Sequence, residues 1–433
     1  MPKIKQFSDL IAEVYPPKLG ESIKVLNATI QVTDDCNLRC TYCYQINKHH
    51  HKIDFETGKK FIDMLLNYSN GLDQYYPGGL DGLVLEFIGG EPFMVIDMIE
   101  QFTDYFIDTM IATNHPLLHK FRISICSNGV LYFDERVQKY IKKHMGHLSF
   151  SISIDGNKEL HDSCRVFADG GGSYDIAIAG VKHYTEVLGG DMGSKMTLAP
   201  GNIDKMFDAV KNLIELKYDE INLNCVYEEG WNVEHAKILY SQLKQLADYM
   251  IDNDIPDDVY VSMFEQDYFK PKHPDDLTNW CGGDGRMLSV DYKGDLYPCI
   301  RYMESSLGDD VEPIIIGNVN TGIMTKACER DCVACLQGID RRSQSTDECF
   351  NCPIAEGCSW CTAYNYQIFG TPDKRATYIC IMHKARALGN AYYWNKKFHK
   401  MNSNKRMKIW IPKDWALEII SEEEWNYLKE LEG

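Results

Sequence analysis

Cys36-Asn37-Leu38-Arg39-Cys40-Thr41-Tyr42-Cys43 places three thiols on one short run in a CxxxCxxC spacing. Thiolate sulfur is a soft ligand, and three on a loop suit two kinds of centre. One is a cubane iron–sulfur cluster. The other is a structural zinc whose fourth ligand comes from elsewhere, for instance His49, His50 or His51. The two differ in what they leave open: four cysteines close every iron of a cubane, whereas three leave one iron free for an exogenous ligand.

A second feature bears on that choice. Gly89-Gly90-Glu91-Pro92 closes the next β-rich run. Paired glycines let a backbone come close to a ligand and expose carbonyls that accept from an ammonium. Glu91 adds a charge-assisted acceptor. A Gly-Gly turn alone is more often a bare loop, but beside a cluster-bearing loop it reads as a site. The amino and carboxylate groups of S-adenosylmethionine (SAM) would chelate the open iron. One electron into the sulfonium would then break a carbon–sulfur bond and release a 5′-deoxyadenosyl radical.

Further along, Cys281, Gly294 and Cys299 are followed by Cys349, Cys352, Cys358, Cys361 and Cys380. Paired CxxC units also suit a zinc ribbon, yet seven cysteines exceed what one tetrahedral ion takes. Cys328, Cys332 and Cys335 repeat the CxxxCxxC spacing without a glycine loop beside them. They could complete another cluster or bind their own metal. Cys126 and Cys225 read as small buried hydrophobes, and Cys164 as buried packing with hydrogen-atom donation as its sharper alternative. The His49-His50-His51 run reads as a solvated loop.

The elements that must position these residues alternate regularly. Strands are expected over Thr29–Thr33, Leu83–Ile88, Arg122–Cys126, Leu148–Ile154, Lys195–Leu198 and Glu220–Val226. Amphipathic helices are expected near Phe55–Tyr68, Val95–Ile111, Glu135–Lys143, Tyr174–Val187 and Ile203–Leu216. In the third helix Val137, Tyr140, Ile141 and His144 share a face. A series of β-then-α units implies a parallel sheet with crossover helices. The fold class is therefore α/β: a partial (β/α)6 TIM-type barrel with its active site at the strand C-termini, followed by a small cysteine-rich extension.

The expected divisions are an N-terminal segment 1–25, the barrel 26–232, and a bridging helix and linker 233–278. The cysteine-rich region 279–390 and a charged C-terminal tail 391–433 follow. Within the extension, Ser289–Asp291 and Leu296–Tyr297 flank a Lys293-Gly294 hairpin turn.

Composition narrows the class. With 45 Lys+Arg against 63 Asp+Glu the net charge is −18, which argues against non-specific nucleic-acid binding. The first residues lack a signal-peptide pattern, and no apolar run is long enough to span a membrane. Sixteen cysteines without a secretion signal point to ligation in a reducing, oxygen-poor cytoplasm rather than to disulfides.

The CxxxCxxC loop after strand one, with Tyr42 ahead of its third cysteine, and the GGEP loop after strand two together resemble the radical SAM superfamily. The resemblance implies a [4Fe–4S] cluster on Cys36, Cys40 and Cys43, with Tyr42 near the adenine and Gly89, Gly90, Glu91 and Pro92 at the SAM amino group. Ser153 and Arg165 match positions that bind the SAM carboxylate or shape the site, and Ser127-Asn128-Gly129 matches a strand-three turn.

The later cysteines are similar to the SPASM extension of radical SAM peptide maturases, which carries two auxiliary [4Fe–4S] clusters. That resemblance assigns Cys281, Cys299 and Cys361 to the nearer one and Cys349, Cys352, Cys358 and Cys380 to the farther one. The short spacing before Cys361, through Ser359 and Trp360, departs from the family.

What the resemblance implies is an enzyme that modifies a ribosomally made, cysteine-rich precursor peptide, by thioether cross-linking. Epimerisation or carbon–carbon cross-linking is the alternative. A non-catalytic iron–sulfur or zinc adaptor is the distant one. Ile300 stands where sulfatase-maturating relatives carry an aspartate base, which argues against their reaction. A ferredoxin- or flavodoxin-type donor is implied for the electron. Only about 25 residues precede strand one, fewer than the roughly 40 a domain usually needs to fold alone. Peptide recognition is therefore expected from a separate leader-binding protein or from the barrel and extension surfaces.

Overall fold

Period-two alternation builds the strands that carry the site. In β3 (Phe121–Ser127) residues Phe121, Ile123, Ile125 and Ser127 are buried, while Arg122, Ser124 and Cys126 face open space. β2 (Gly82–Gly89) and β4 (Leu148–Ile152) alternate likewise, whereas β1 (Val25–Thr33) is buried without interruption from Ala28 onward. The computed structural model describes residues 6–15, 23–228, 230–279, 281–324 and 333–433.

β1, β2, β3 and β4 pair in parallel in chain order. Between them run α1 (Phe55–Asn67), α2 (Ile96–Ala112) and α3 (Glu135–His144). Asp54 and Asp134 cap α1 and α3 by accepting from the Thr57 and Arg136 amides. Basic side chains at 142–144 sit against the C-terminal end of the α3 dipole. The four residues expected on one face of α3 are its four buried residues.

α4 (Lys158–Cys164) and α5 (Tyr174–Lys182) lead to β5 (Ser194–Leu198), α6 (Met206–Glu215) and β6 (Glu220–Cys225). β5 and β6 lie in a separate sheet from β1–β4, so the six-strand series is interrupted between β4 and β5.

Two differences from the sequence reading concern long-range pairing. Within the expected linker, after α7 (Val233–Asp252), β7 (Tyr260–Val261) pairs in parallel with β6. The extension hairpin, β8 (Met287–Val290) and β9 (Asp295–Tyr297), is no separate layer. β8 pairs in parallel with β1, from Asn27↔Met287 to Ile30↔Val290. β10 (Gly317–Asn318) and β11 (Gly322–Ile323) continue that sheet, so barrel and extension share one ladder.

The extension ends in α8 (Thr362–Phe369) and α9 (Cys380–Lys400). The boundary expected at 390 falls inside α9, which packs on α7 with Gly389 against Leu243. The charged tail folds as well. α10 (Glu422–Glu432) is capped by Ser421 and buries Trp425 and Leu428, while Glu424 receives Lys244 at 2.8 Å and the Tyr240 hydroxyl at 2.5 Å. Among the described residues no helix is long and apolar enough to cross a membrane.

Candidate functional site

The cysteine loop leaves the end of β1, where the pairing with β2 slips by one residue between Gln31 and Thr33. Its backbone is fixed from the far side by the end of α4 and the residues that follow it. The Arg39 amide donates to the Val166 carbonyl at 2.7 Å, and the Thr41 amide to that of Cys164 at 3.0 Å. The Arg39 guanidinium closes the loop on itself through the Cys36 and Leu38 carbonyls.

The glycine pair sets how closely β2 approaches this loop. A Cβ on Gly90 would lie 2.0 Å from the Asp35 carbonyl oxygen and 2.8 Å from Cys36 Cβ. A Cβ on Gly89 would lie 2.4 Å from the Thr33 oxygen. Only glycine permits the contact.

Glu91, expected to accept from an ammonium, is 1% exposed and already serves three protein donors. Its carboxylate accepts from Ser127 Oγ and the Asn128 amide, each at 2.8 Å, and from the Phe93 amide at 3.2 Å. Burial pushes its pKa up to about 7 despite these bonds, which act to lower it. The Ser127-Asn128-Gly129 turn is thereby tied to the glycine loop. Asn128 also reaches the cysteines, donating to Asn37 Oδ1 at 2.7 Å and lying 3.8 Å from Cys36 Sγ.

The sequence reading passed over Asp155. Its side chain is fully buried and holds the other wall together. Arg165 Nε donates to it at 2.8 Å, the Thr197 amide at 3.1 Å, and the Tyr42 hydroxyl donates to the same carboxylate. The Arg165 guanidinium stacks over the Tyr42 ring at 5.5 Å. The arginine expected to meet a ligand carboxylate is thus anchored by a protein one. The Asp155 amide in turn donates to His161 Nδ1 at 3.3 Å, and burial drops the His161 pKa to about 4, so that ring is neutral.

These elements enclose a cavity of about 420 Å³. Cys36, Cys40 and Cys43 line it together with Tyr42, Gly89, Gly90, Glu91, Ser153 and Arg165. Pro92 is buried just behind, starting a short 3₁₀ turn. Burial raises the Cys36 thiol to about 11 and raises Cys40, while the Arg165 and Lys48 charges act in the opposite sense.

Cys126 lines the cavity too, with its sulfur 3.5 Å from Ser153 Oγ. Burial acts to raise its pKa, but Lys195 and the hydroxyls of Ser151 and Ser153 bring it below the ordinary value. Cys164 and Cys225 are buried; Cys164 accepts from Asn202 Nδ2 at 3.7 Å. The histidine run is only partly solvated: His51 Nδ1 pairs with Asp34 at 2.8 Å and stacks on Tyr292.

The extension reaches the same cavity through Ile300, Arg301 and Cys361. Cys281 and Cys299 gather around Gly283, where a Cβ would sit 3.4 and 3.3 Å from their sulfurs. Cys361 joins them: burial raises the Cys299 thiol well above its ordinary value, and the Cys281 and Cys361 sulfurs raise it further. Arg301 acts on Cys361 in the opposite sense, pairs with Glu228 at 2.7 Å and lies over the Tyr44 ring.

Cys349, Cys352, Cys358 and Cys380 line a separate cavity of about 340 Å³ beneath Trp415. Arg375 lies over the Trp360 ring at 3.7 Å and counters these sulfurs electrostatically. Of the additional trio, Cys335 is exposed in the middle of a short helix, whereas Cys328 and Cys332 lie outside the described residues.

Among the described residues no three His, Cys, Asp or Glu side chains close on a single metal ion. The thiols instead surround spaces. The three loop thiols stand on the first cavity with Cys126 and Cys361, two thiols flank Gly283, and four line the separate space, and these soft donors suit multi-iron clusters.

Residues 30–214 match the Radical SAM superfamily. The cysteine-type anaerobic sulfatase-maturating enzyme of Clostridium novyi is 29% identical over 152 residues, 35% of this chain and 37% of that protein. The sporulation killing factor maturation protein SkfB of Bacillus subtilis is 24% identical over 145 residues, 34% of this chain and 30% of that protein. The chain thus spans about a third of either relative. In fold it is similar to anSMEcpe with bound AdoMet, at TM-score 0.58 and 16% identity over 87% of this chain and 99% of that one. It is also similar to Streptococcus suis SuiB bound to precursor peptide SuiA, at TM-score 0.52 and 14% identity over 82% of this chain and 76% of that one.

Proposed function

We propose, from the radical SAM domain that this chain carries over residues 30–214, that it is an enzyme using SAM and a [4Fe–4S] cluster to modify a peptide. The observation that carries this reading is one shared cavity. The loop thiols of Cys36, Cys40 and Cys43 and the extension's Cys361 all line it. When bound, the cluster supplies the electron that cleaves SAM to a 5′-deoxyadenosyl radical.

The chain's own residues do the positioning. Cys36, Cys40 and Cys43 would hold the cluster, and the glycine pair leaves carbonyls and space for the amino group. Arg165, aligned by Asp155, would meet the SAM carboxylate from the cavity wall, and Tyr42 would offer its ring for the adenine. The buried surround excludes water, which a primary carbon radical requires. Cys281, Cys299 and Cys361, and separately Cys349, Cys352, Cys358 and Cys380, would hold two auxiliary clusters.

The substrate in this reading is a cysteine-rich ribosomal peptide, and the product a thioether cross-link. Support comes from Cys361, the member of the extension's three-thiol set that lines the radical's cavity, and from SkfB, a maturation protein, among the relatives. A separate leader-binding protein and a ferredoxin- or flavodoxin-type donor complete the system. One observation favours epimerisation as a second reading: Cys126 presents a thiol on the cavity wall that could return a hydrogen atom to a peptide radical.

The test is co-expression with peptides encoded beside the gene, followed by mass spectrometry. A loss of two hydrogens per cross-link is expected. An unchanged mass with an inverted residue would establish epimerisation instead, and an unmodified peptide alongside active SAM cleavage would remove the peptide reading.

A further inference from the structure

β4 is bonded to β3 along Leu148–Ile152, and β5 to β6 along Ser194–Leu198, but among the described residues no backbone hydrogen bond joins β4 to β5. Only side chains cross. The Ile152 amide donates to Met192 Sδ at 3.4 Å, and the Thr197 amide donates to Asp155 Oδ1 at 3.1 Å. These contacts set the last residue of β4 beside a residue that precedes β5, so β5 rides ahead of its neighbour. A cavity of about 740 Å³ adjoins this gap, lined by residues 148–151 and 189–195 and also by Arg122 and Ser124 of β3 and Glu220 and Asn222 of β6.

An unpaired strand edge is a template for another extended backbone. Ser149 and Ser151, the less buried positions of β4, line the cavity together with Leu148 and Phe150. Ser194, fully buried in the same lining, has a hydroxyl with no partner. The charged lining is unbalanced, with Asp191, Asp219, Glu220 and Asp258 against Arg122 and Lys195. The cavity neighbours the candidate site: Ser151 lines it, and the Ser151 hydroxyl bears on Cys126, which lines the separate cysteine cavity.

We propose that the outer edge of β4 captures an extended, lysine- or arginine-bearing segment of the peptide substrate as an added strand, directed along the barrel toward the cysteine cavity. The identity of this occupant rests on the peptide-modifying reading above. A five-residue edge spans about 17 Å, enough to fix the register of a segment before it reaches the radical.

The probes are two N-acetylated octapeptides that alternate threonine with lysine or with glutamate, and the lysine peptide N-methylated on its backbone amides. Each is titrated into the full-length protein, and hydrogen–deuterium exchange is followed by fragment. The lysine peptide is expected to bind saturably, at least tenfold tighter than the glutamate peptide. It should slow exchange of those Leu148–Ile152 amides that are not bonded to β3. The N-methylated peptide should do neither. Ser149→Trp, which places an indole in the cavity, should weaken binding at least tenfold while SAM cleavage with dithionite is unchanged.

Absent protection of β4 in the wild-type protein, or equal binding of the N-methylated peptide, overturns the inference whatever the variant does. Intact SAM cleavage with an unprotected β4 removes this inference alone. Absent SAM cleavage with a protected β4 removes the catalytic reading and leaves the peptide edge standing.

Discussion

Removing the charge of Asp155 should release the wall of the site that Arg165 and Tyr42 form. The pair is almost dry, with side-chain exposures of 11% for Arg165 and none for Asp155, at 2.8 Å. At that separation and an effective dielectric of about 20, the gross attraction is about 6 kcal/mol, much of it offset by desolvation. Breaking a buried pair by removing one partner costs about 3–5 kcal/mol, because the remaining charge stays buried without its counter-ion. Asp155→Asn should therefore lose about that much in urea unfolding of the anaerobically purified protein. Arg165→Met should lose part of it, and the double variant should lose less than the sum of the two. A coupling energy of at least about 2 kcal/mol is expected from the cycle. Asp155→Asn should also slow 5′-deoxyadenosine release, since Arg165 then has no fixed orientation. A coupling energy within about 0.5 kcal/mol of zero would refute the reasoning and reduce Asp155 to a loop residue.

Gly90→Ala places a methyl against the Asp35 carbonyl and Cys36. It should lower iron retention on the loop, read as iron per chain after anaerobic desalting, while Gly146→Ala, which meets no atom within 4 Å, should not. Glu91 gives a pH signature: its folded pKa of about 7 lies above its ordinary 4.5, so the fold binds a proton that the unfolded chain releases. That stabilisation is complete below pH 4.5 and is lost as pH rises through about 7, by about 3 kcal/mol. The advantage of wild type over Glu91→Gln should shrink by about 2.5 kcal/mol between pH 5 and 8 in paired urea titrations. His161 runs the other way. Held neutral with a pKa of about 4, it withdraws stability as pH falls from 6.5 through that value, a loss that His161→Gln should remove. Cys380→Ala should lower iron content and spare SAM cleavage, because its cavity is separate from the loop cysteines'.

The barrel strands and helices were legible because their signals are local. The period-two runs, the Asp54 and Asp134 caps and the apolar face of α3 lie within a few residues of each other. The three thiol sets were legible for a different reason, since few other chemistries use so many cysteines at such spacings. What escaped was created by contacts between distant segments. Asp155 reads as a turn residue in Ser153-Ile154-Asp155-Gly156; only the fold brings Tyr42, Arg165 and Thr197 to it. The pairing of β8 with β1 joins residues far apart in the chain and leaves no mark in either strand. Nor does the stagger that opens the β4 edge. The last helix was within reach, because Ser421 followed by Glu424 ahead of Trp425 and Leu428 is a helix-start pattern that the run of glutamates obscured.

The central claim is that Cys36, Cys40 and Cys43 present an iron with room for SAM. Anaerobically purified protein, given SAM and dithionite, should release 5′-deoxyadenosine, and Ala at any of these three cysteines should abolish the release. Near-stoichiometric zinc in place of iron, with no SAM cleavage, would contradict it.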